Sequence, residues 1–197
     1  VMSKDGCRPF CATRNGMVQG EGAAILVLED RERATARGAR IWGEIVGFGM
    51  SADAGDIVQP SVDGAARAMQ GALDEAGLAP HDIDYINAHG TATAANDRTE
   101  TAAIRQVFGA AADRVSVSST KSMHGHCIGG AGAVEMAAVL MALNEGLVPP
   151  TIGFAEADPD CDLDVTPNDA RPRAVQAALS NSFAFGGLNA VLAVSRG

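Results

Sequence analysis

Two histidines and a lysine lie in two short polar turns of this sequence, and residues of these types can do chemistry together. The first turn reads Asn87-Ala-His-Gly-Thr-Ala-Thr93, and the second reads Ser119-Thr-Lys-Ser-Met-His-Gly-His126. A neutral imidazole carries one N–H donor and titrates near neutral pH. His89 and His126 are therefore candidate hydrogen-bond donors to an oxygen that becomes negative during a reaction.

Each turn directly follows a predicted strand, at residues 83–87 and 115–118. Side chains at the ends of neighbouring strands in an α/β sheet converge on one crevice, so the two turns are predicted to form one polar site. For a lone histidine, a core position bonded to a carbonyl is the better alternative. Here Gly90 permits close approach of a ligand, and the hydroxyls of Thr91 and Thr93 also favour a functional role.

The second turn leads into an apolar helix predicted over residues 129–145, which supplies a candidate partner for Lys121. Glu135 lies in that helix, and a charge on such an apolar helix needs a partner. We therefore expect an ion pair between Lys121 and Glu135; a Glu135 that reaches the surface is the alternative. A helix N-terminus disfavours a cationic imidazole, so His126 is predicted to stay neutral.

Metal binding is the weaker interpretation of the second turn. Four side chains offer ligands: His89, His124, His126 and Cys127. Their spacing matches no familiar zinc pattern, so we predict no metal site. His124 is predicted to be peripheral, because residues two apart on a turn point in different directions.

The composition bounds the class of protein. A chain of 197 residues with 47% apolar content can form one domain with its own core. The net charge of −9 argues against nucleic-acid binding, which needs clustered Lys and Arg. No run of eighteen apolar residues is present, so no membrane span is predicted. The absence of a signal-peptide pattern and the low cysteine content favour the cytoplasm.

Periodicity and turn residues predict strands and helices that alternate around one sheet. Ser61 and Gly77 are a plausible N-cap and end for one helix, and Asp97 is a plausible N-cap for the next. The apolar run at residues 23–28 predicts a buried strand. The other predicted strands are residues 41–49, 83–87, 115–118, 174–180 and 188–195, and the other helices are residues 29–37 and 129–145.

Several motifs together resemble those of the β-ketoacyl synthase family of thiolase-fold condensing enzymes. Besides the two turns, they are Cys7-Arg-Pro-Phe, Asn15-Gly-Met-Val-Gln-Gly-Glu-Gly-Ala, Gly130-Ala-Gly-Ala-Val-Glu135 and Asn181-Ser-Phe-Ala-Phe-Gly-Gly-Leu-Asn189. They run from one end of the chain to the other in the family's order, and they are most similar to the elongating synthases of fatty-acid and type II polyketide synthesis, including nodulation-type synthases. The resemblance implies an α/β fold in which a five-stranded mixed sheet has helices on both faces.

The resemblance also implies a reaction and its residues. Family members join an acyl chain, carried on a cysteine, to malonyl on acyl carrier protein with loss of CO2. His89 and His126 are then the histidines that hold the malonyl thioester oxygen. Lys121 is the active-site lysine and Glu135 its partner. These four residues are the predicted catalytic set.

Five further residues are implied to bind substrate. Thr91 and Thr93 correspond to residues that bind the phosphopantetheine arm of acyl carrier protein, and no other cofactor is implied. Phe183 corresponds to a gating phenylalanine that shields the acyl cysteine. Phe185 and Gly186 belong to the same loop.

The family's nucleophilic cysteine lies in a Cys-Ser-rich motif of the N-terminal half. None of the four cysteines here has that context: Cys7, Cys11, Cys127 and Cys161. The resemblance therefore implies that residues 1–197 are the C-terminal half of a condensing enzyme, inactive alone. The N-terminal half or a partner chain would supply the cysteine, acyl carrier protein would be a partner, and the complete enzyme would be a homodimer. A non-catalytic partner subunit, like a chain-length factor, is the alternative.

Overall fold

Five strands of this chain form one mixed sheet in a computed structural model that describes residues 2–197. With two strands of a second sheet included, the strands of the described residues are β1 (Glu44–Ala52), β2 (Tyr85–Asn87), β3 (Ser116–Ser118), β4 (Leu147–Val148), β5 (Arg171–Pro172), β6 (Ala177–Ala184) and β7 (Leu188–Ser195). The α-helices are α1 (Arg31–Ala36), α2 (Val62–Ala76), α3 (Ala94–Phe108), α4 (Lys121–His124) and α5 (Ala131–Glu145). Strands β4 and β5 form a separate two-stranded sheet.

The strand order of the main sheet is β1-β7-β6-β2-β3. Strand β2 is parallel to both β3 and β6, and β7 is antiparallel to its neighbours β1 and β6. The carboxyl ends of β2, β3 and β6 therefore meet at one edge of the sheet. The two polar turns follow β2 and β3 directly, so the topology brings them to that edge.

Helices cover both faces of the sheet, as predicted. Helices α2 and α3 pack with Ile86 and Leu179 in one apolar cluster, and α5 packs with Tyr85 and Ala178 in the other. Neighbouring residues of β2 and of β6 thus contribute to opposite clusters, because successive side chains of a strand point to opposite faces.

The predicted ends of α2 are confirmed. The hydroxyl of Ser61 accepts the backbone N–H of Gly64, and Gly77 ends the helix with a left-handed φ of 64°. Helix α2 lies against glycines of β1, since a Cβ built on Gly49 would be 2.0 Å from the carbonyl oxygen of Ala68. This close approach fixes the helix on the sheet that carries the polar turns.

Two predicted features are wrong. Residues 23–28 do not form a buried strand: the segment belongs to no strand, and the side chain of Ile25 is 93% exposed. Its apolar pattern has no sheet to join among the described residues. Asp97 is not an N-cap, because α3 begins three residues earlier, where Thr93 accepts the N–H of Asn96. Asp97 is instead buried and accepts the backbone N–H of Phe10 at 2.7 Å.

One stretch of the described residues, Ile128–Glu145, is long and apolar enough to cross a membrane by length and composition alone. The prediction from uninterrupted apolar runs did not find it, because Glu135 interrupts the run. Core helices of globular proteins pass the same length and composition test. Most of this stretch is α5, which packs against the sheet.

Candidate active site

His89 and His126 meet at the carboxyl edge of the sheet. Their ring centroids are 5.4 Å apart, and the ring planes are nearly perpendicular, at 82°. His89 is buried, and His126 is half-buried. The structure therefore joins the two predicted turns into one site, with two imidazoles facing the same small volume.

The turn that carries His89 is held by Glu100 of α3. The Glu100 carboxylate accepts the backbone N–H groups of His89 and Gly90, each at 2.8 Å, and it also accepts the side-chain amide of Asn181. Glu100 is fully buried, and burial raises its pKa. Sequence reasoning missed this residue. Its signal was a carboxylate four residues before Ile104, on the buried stripe of a helix.

The backbone of Ile128 fixes the tautomer of His126. Ile128 donates its N–H to Nδ1 of His126 at 3.1 Å. Because a backbone N–H can only donate, Nδ1 carries no proton in the neutral ring, and the ring proton lies on Nε2. His126 thus has one N–H donor, at the nitrogen away from Ile128.

Both imidazoles are neutral at physiological pH. Burial and then the nearby Lys121 ammonium lower the pKa of His126 to about 4. Burial, then Lys121 and His126, lower the pKa of His89 well below its usual value. The lowered pKa of His126 agrees with the predicted neutral state, and burial is its first cause.

The predicted ion pair between Lys121 and Glu135 is confirmed. Nζ of Lys121 lies 2.5 Å from Oε1 of Glu135, and both residues are buried. Burial raises the pKa of Glu135, and the charge of Lys121 acts in the opposite direction. Since Lys121 also lowers the pKa of both histidines, its ammonium is a positive charge near the two imidazoles, and Glu135 holds that ammonium.

Thr91 and Thr93 end the first turn. Their hydroxyl oxygens are 2.9 Å apart, and Thr91 is buried. The Thr93 hydroxyl also accepts the N–H of Asn96 as the N-cap of α3. Thr93 therefore has a structural bond of its own, whatever else it binds.

Phe183 reaches the same site from the end of β6. Its ring centroid is 5.7 Å from that of His89. The loop that follows turns back into β7 through Gly186 and Gly187, which have left-handed φ angles of 81° and 71°. Phe185 in this loop is 66% exposed. The structure thus places one phenylalanine in the site and the other at the surface.

His124 lies outside the pair of histidines. Its Nδ1 bonds the Gly125 carbonyl at 2.7 Å, and its Nε2 bonds the Thr120 hydroxyl at 3.1 Å. Within residues 2–197, no group of three or more His, Cys, Asp or Glu side chains lies together as a metal site. Buried oxygens of Asn87 and Asn181, on neighbouring strands, have no hydrogen-bond partner in this part of the chain.

Comparison with known proteins follows the same motifs. The family model "Beta-ketoacyl synthase, C-terminal domain" matches residues 42–155. The chain is 60% identical to nodulation protein E of Rhizobium sp. (strain N33) over 98% of its length and 48% of that protein. It is 53% identical to 3-oxoacyl-[acyl-carrier-protein] synthase 2 of Synechocystis sp. over 96% of its length and 46% of that protein.

The fold is shared with solved structures. The chain superimposes on the ishigamide ketosynthase/chain length factor with a TM-score of 0.96 and 48% identity, covering 99% of this chain and 48% of that one. The chain thus spans about half the length of the relatives it matches. Together the matched residues, the thiolase-like fold and the shared motifs show that the chain belongs to the β-ketoacyl synthase family and corresponds to its C-terminal domain.

Proposed function

We propose that residues 1–197 form the C-terminal domain of a 3-oxoacyl-[acyl-carrier-protein] synthase that joins an acyl group to malonyl with loss of CO2. The observation that carries the proposal is the pair of neutral imidazoles, His89 and His126, with ring centroids 5.4 Å apart. The names of the relatives support the same reaction class. The complete enzyme is an acyltransferase, and this chain alone is inactive.

The two histidines act on the malonyl thioester. When the bond to CO2 breaks, its electron pair moves into an enolate, whose oxygen becomes negative. Donors already in place around such an oxygen stabilise it, and losing one of them costs about 10²–10³ in rate in comparable sites. Nε2–H of His126 is one donor, and His89 supplies the other. The enolate carbon then attacks the acyl thioester, and the cysteine thiolate leaves.

Lys121 supports this step through charge. Its ammonium disfavours the imidazolium form of both histidines. Each ring therefore stays neutral and donates a hydrogen bond without giving up its proton. Glu135 holds the ammonium in place at 2.5 Å. In this proposal Lys121 and Glu135 complete the catalytic set.

Substrate reaches the histidines from the side of the β6–β7 loop. Thr91 and Thr93 bind the phosphopantetheine arm, since their hydroxyls lie directly after the His89 turn. Phe183 gates the site, and Phe185 and Gly186 move with it. The contact between the rings of Phe183 and His89 supports this role.

The nucleophilic cysteine comes from the other half of the synthase. Apolar side chains are exposed where that half would pack: Ile25 and Val27 of the 23–28 segment, Met50 of β1 and Met141 of α5. Large exposed apolar surfaces mark interaction sites. The four cysteines of the chain are free thiols, and none has the Cys-Ser-rich context of the family's nucleophile.

The proposal includes the partners and location of the complete enzyme. Acyl carrier protein carries the substrates on its phosphopantetheine, as the name of the Synechocystis relative implies, and no other cofactor is needed. The free thiols fit a reducing compartment, the cytoplasm. Assembly of the complete enzyme as a homodimer completes the proposal.

Reconstitution tests the proposal. The chain is mixed with the N-terminal half of the Rhizobium relative, which supplies the missing region, and CO2 release from malonyl acyl carrier protein is measured. We expect release by the mixture and none by either half alone. Failure of a folded mixture to release CO2 contradicts the proposal.

A chain-length-factor-like subunit is the second candidate, because the matched solved structure contains such a factor in its name. The His126→Ala variant separates the two functions in the same mixture. A condensing enzyme loses about 10²-fold or more in CO2 release when one oxyanion donor is removed. A rate that does not change favours the non-catalytic subunit.

A further inference from the structure

The main chain of His126 is attached to a segment near the start of the chain. His126 donates its N–H to the Val18 carbonyl at 2.7 Å, and Gly20 donates its N–H to the His126 carbonyl at 3.1 Å. Gln19 and His126 form an isolated parallel bridge. We call residues 18–20 the strap. The backbone N–H and the backbone carbonyl of His126 are therefore both bonded to the strap.

Glycine makes this attachment possible. A Cβ built on Gly20 would lie 2.0 Å from the His124 carbonyl oxygen and 3.0 Å from the Gly125 carbonyl carbon. A Cβ on Gly125 would in turn lie 2.9 Å from Cα of Gly20. The obstacles are backbone atoms rather than flexible side chains. Any larger residue at position 20 must push the strap away from the His126 loop.

The two histidines have separate supports. The His89 backbone is bonded to Glu100 of α3, whereas the His126 backbone is bonded to the strap. Gly16, two residues before the strap, donates its N–H to the Ala92 carbonyl of the first turn, but the bonds of residues 18 and 20 described above go to His126. A change confined to the strap is therefore expected to move His126 more than His89. This separation makes the role of the strap measurable.

We propose that the strap sets the position of His126, with Gly20 as its positioning residue. A role of the strap in decarboxylation rests on the proposed function, whereas its role in holding the His126 backbone does not. A displacement of about 1 Å at a reacting group can reduce a rate by about 10²-fold. Gly20→Ala is therefore expected to reduce CO2 release by about that factor without touching a group that contacts substrate.

The test compares Gly20→Ala with Gly129→Ala in the full chain. Gly129 lies three residues after His126, and a Cβ there meets nothing within 4 Å. Ring 15N spectra of both histidines are recorded for each variant. Gly20→Ala is expected to change the His126 signals, as the bond from Ile128 weakens, and to change the His89 signals less, since His89 feels only the moved ring beside it. Gly129→Ala is expected to change neither. Unchanged His126 signals, or equal changes in both histidines, overturn the proposal.

Hydrogen exchange of the unmodified chain keeps the proposal testable if Gly20→Ala fails to fold. The amide hydrogens of His126 and Gly20 should exchange as slowly as that of Ala88, which is bonded to Ser118 in the sheet. Fast exchange of both overturns the proposal. The reconstituted mixture separates the two claims. If the original mixture releases CO2 and Gly20→Ala does so equally well, the strap has no role. If the original mixture is inactive but Gly20→Ala shifts the His126 signals more than those of His89, the proposed reaction is contradicted and the positioning role of the strap is supported.

Discussion

Ile128 donates its backbone N–H to Nδ1 of His126 from a left-handed backbone conformation, with a φ of 50°. This conformation costs a β-branched residue about 1–2 kcal/mol. The Ile128 side chain is exposed, so its packing within this chain does not offset that cost. The hydrogen bond from the Ile128 N–H to His126 therefore helps to offset the cost of this backbone conformation.

Replacing Ile128 with Asn should stabilise the chain by about 0.5–1 kcal/mol, because Asn tolerates the left-handed region and retains the backbone N–H. The measurement is the free energy of unfolding in urea. Met123→Asn, at an exposed apolar position of α4, serves as the control and should give no gain. A loss of stability in Ile128→Asn would show that the isoleucine side chain contributes more than the strain removes.

The His126 ring should make the chain less stable as the pH falls from 6.5 to about 4. Over this range the unfolded chain binds a proton at this histidine, whereas the folded chain does not, since its pKa is lowered to about 4. Below pH 4 both states are protonated, and the loss ends. Buried Asp97, whose pKa is raised to about 6 mainly by burial, acts in the opposite direction between pH 6 and its ordinary value of 3.8.

His126→Gln isolates the histidine contribution, because both chains retain Asp97. The stability of the variant relative to the original chain should rise as the pH falls from 6.5 to 4. Urea unfolding at several pH values measures it. A difference that is flat across this range would mean that His126 titrates near its ordinary pKa in the folded chain.

The buried pair of Lys121 and Glu135 should show strong coupling. Glu135→Gln or Lys121→Met alone leaves one charge buried without a partner, and each should cost about 3–5 kcal/mol of unfolding free energy. The double variant should cost much less than the sum, because it removes both charges. A double-mutant cycle by chemical denaturation measures the coupling. Additive losses would show that the two charges do not depend on each other.

Two adjacent glycines of the β6–β7 loop should respond differently to alanine. Gly186→Ala meets no atom within 4 Å and should cost about 1–2 kcal/mol, from the left-handed φ alone. Gly187→Ala also places its Cβ 2.4 Å from Cβ of Asp53, so overpacking adds about 1–3 kcal/mol. Thermal unfolding of the two variants gives the difference. Equal losses would mean that the loop moves freely away from Asp53.

Local patterns predicted those parts of the fold that depend on local chemistry. Ser61 and Gly77 ended α2 where capping chemistry placed them, and the strands before the two turns were found within two residues of their observed starts. The prediction of a buried strand at residues 23–28 was wrong, because an apolar pattern indicates a tendency to be buried but does not show which residues cover it. Among the described residues, no strand pairs with this segment.

Local patterns also predicted part of the candidate site. His89, Lys121 and His126 were found because Gly, Ser and Thr mark turns after strands. The role of Glu100 was missed, and so was the contact of residues 18–20 with His126, although the motif that contains them was noted; these bonds join residues far apart in the chain. Asp97 was read as a cap because Asp favours that position, but burial beside Phe10 decides its role.

The strap runs directly into the uncovered apolar segment at residues 23–28, whose Ile25 and Val27 side chains are almost fully exposed. An extended, unpaired apolar stretch is a ready partner for a second copy of itself. Self-association of the chain through this segment is therefore expected to grow as its concentration rises.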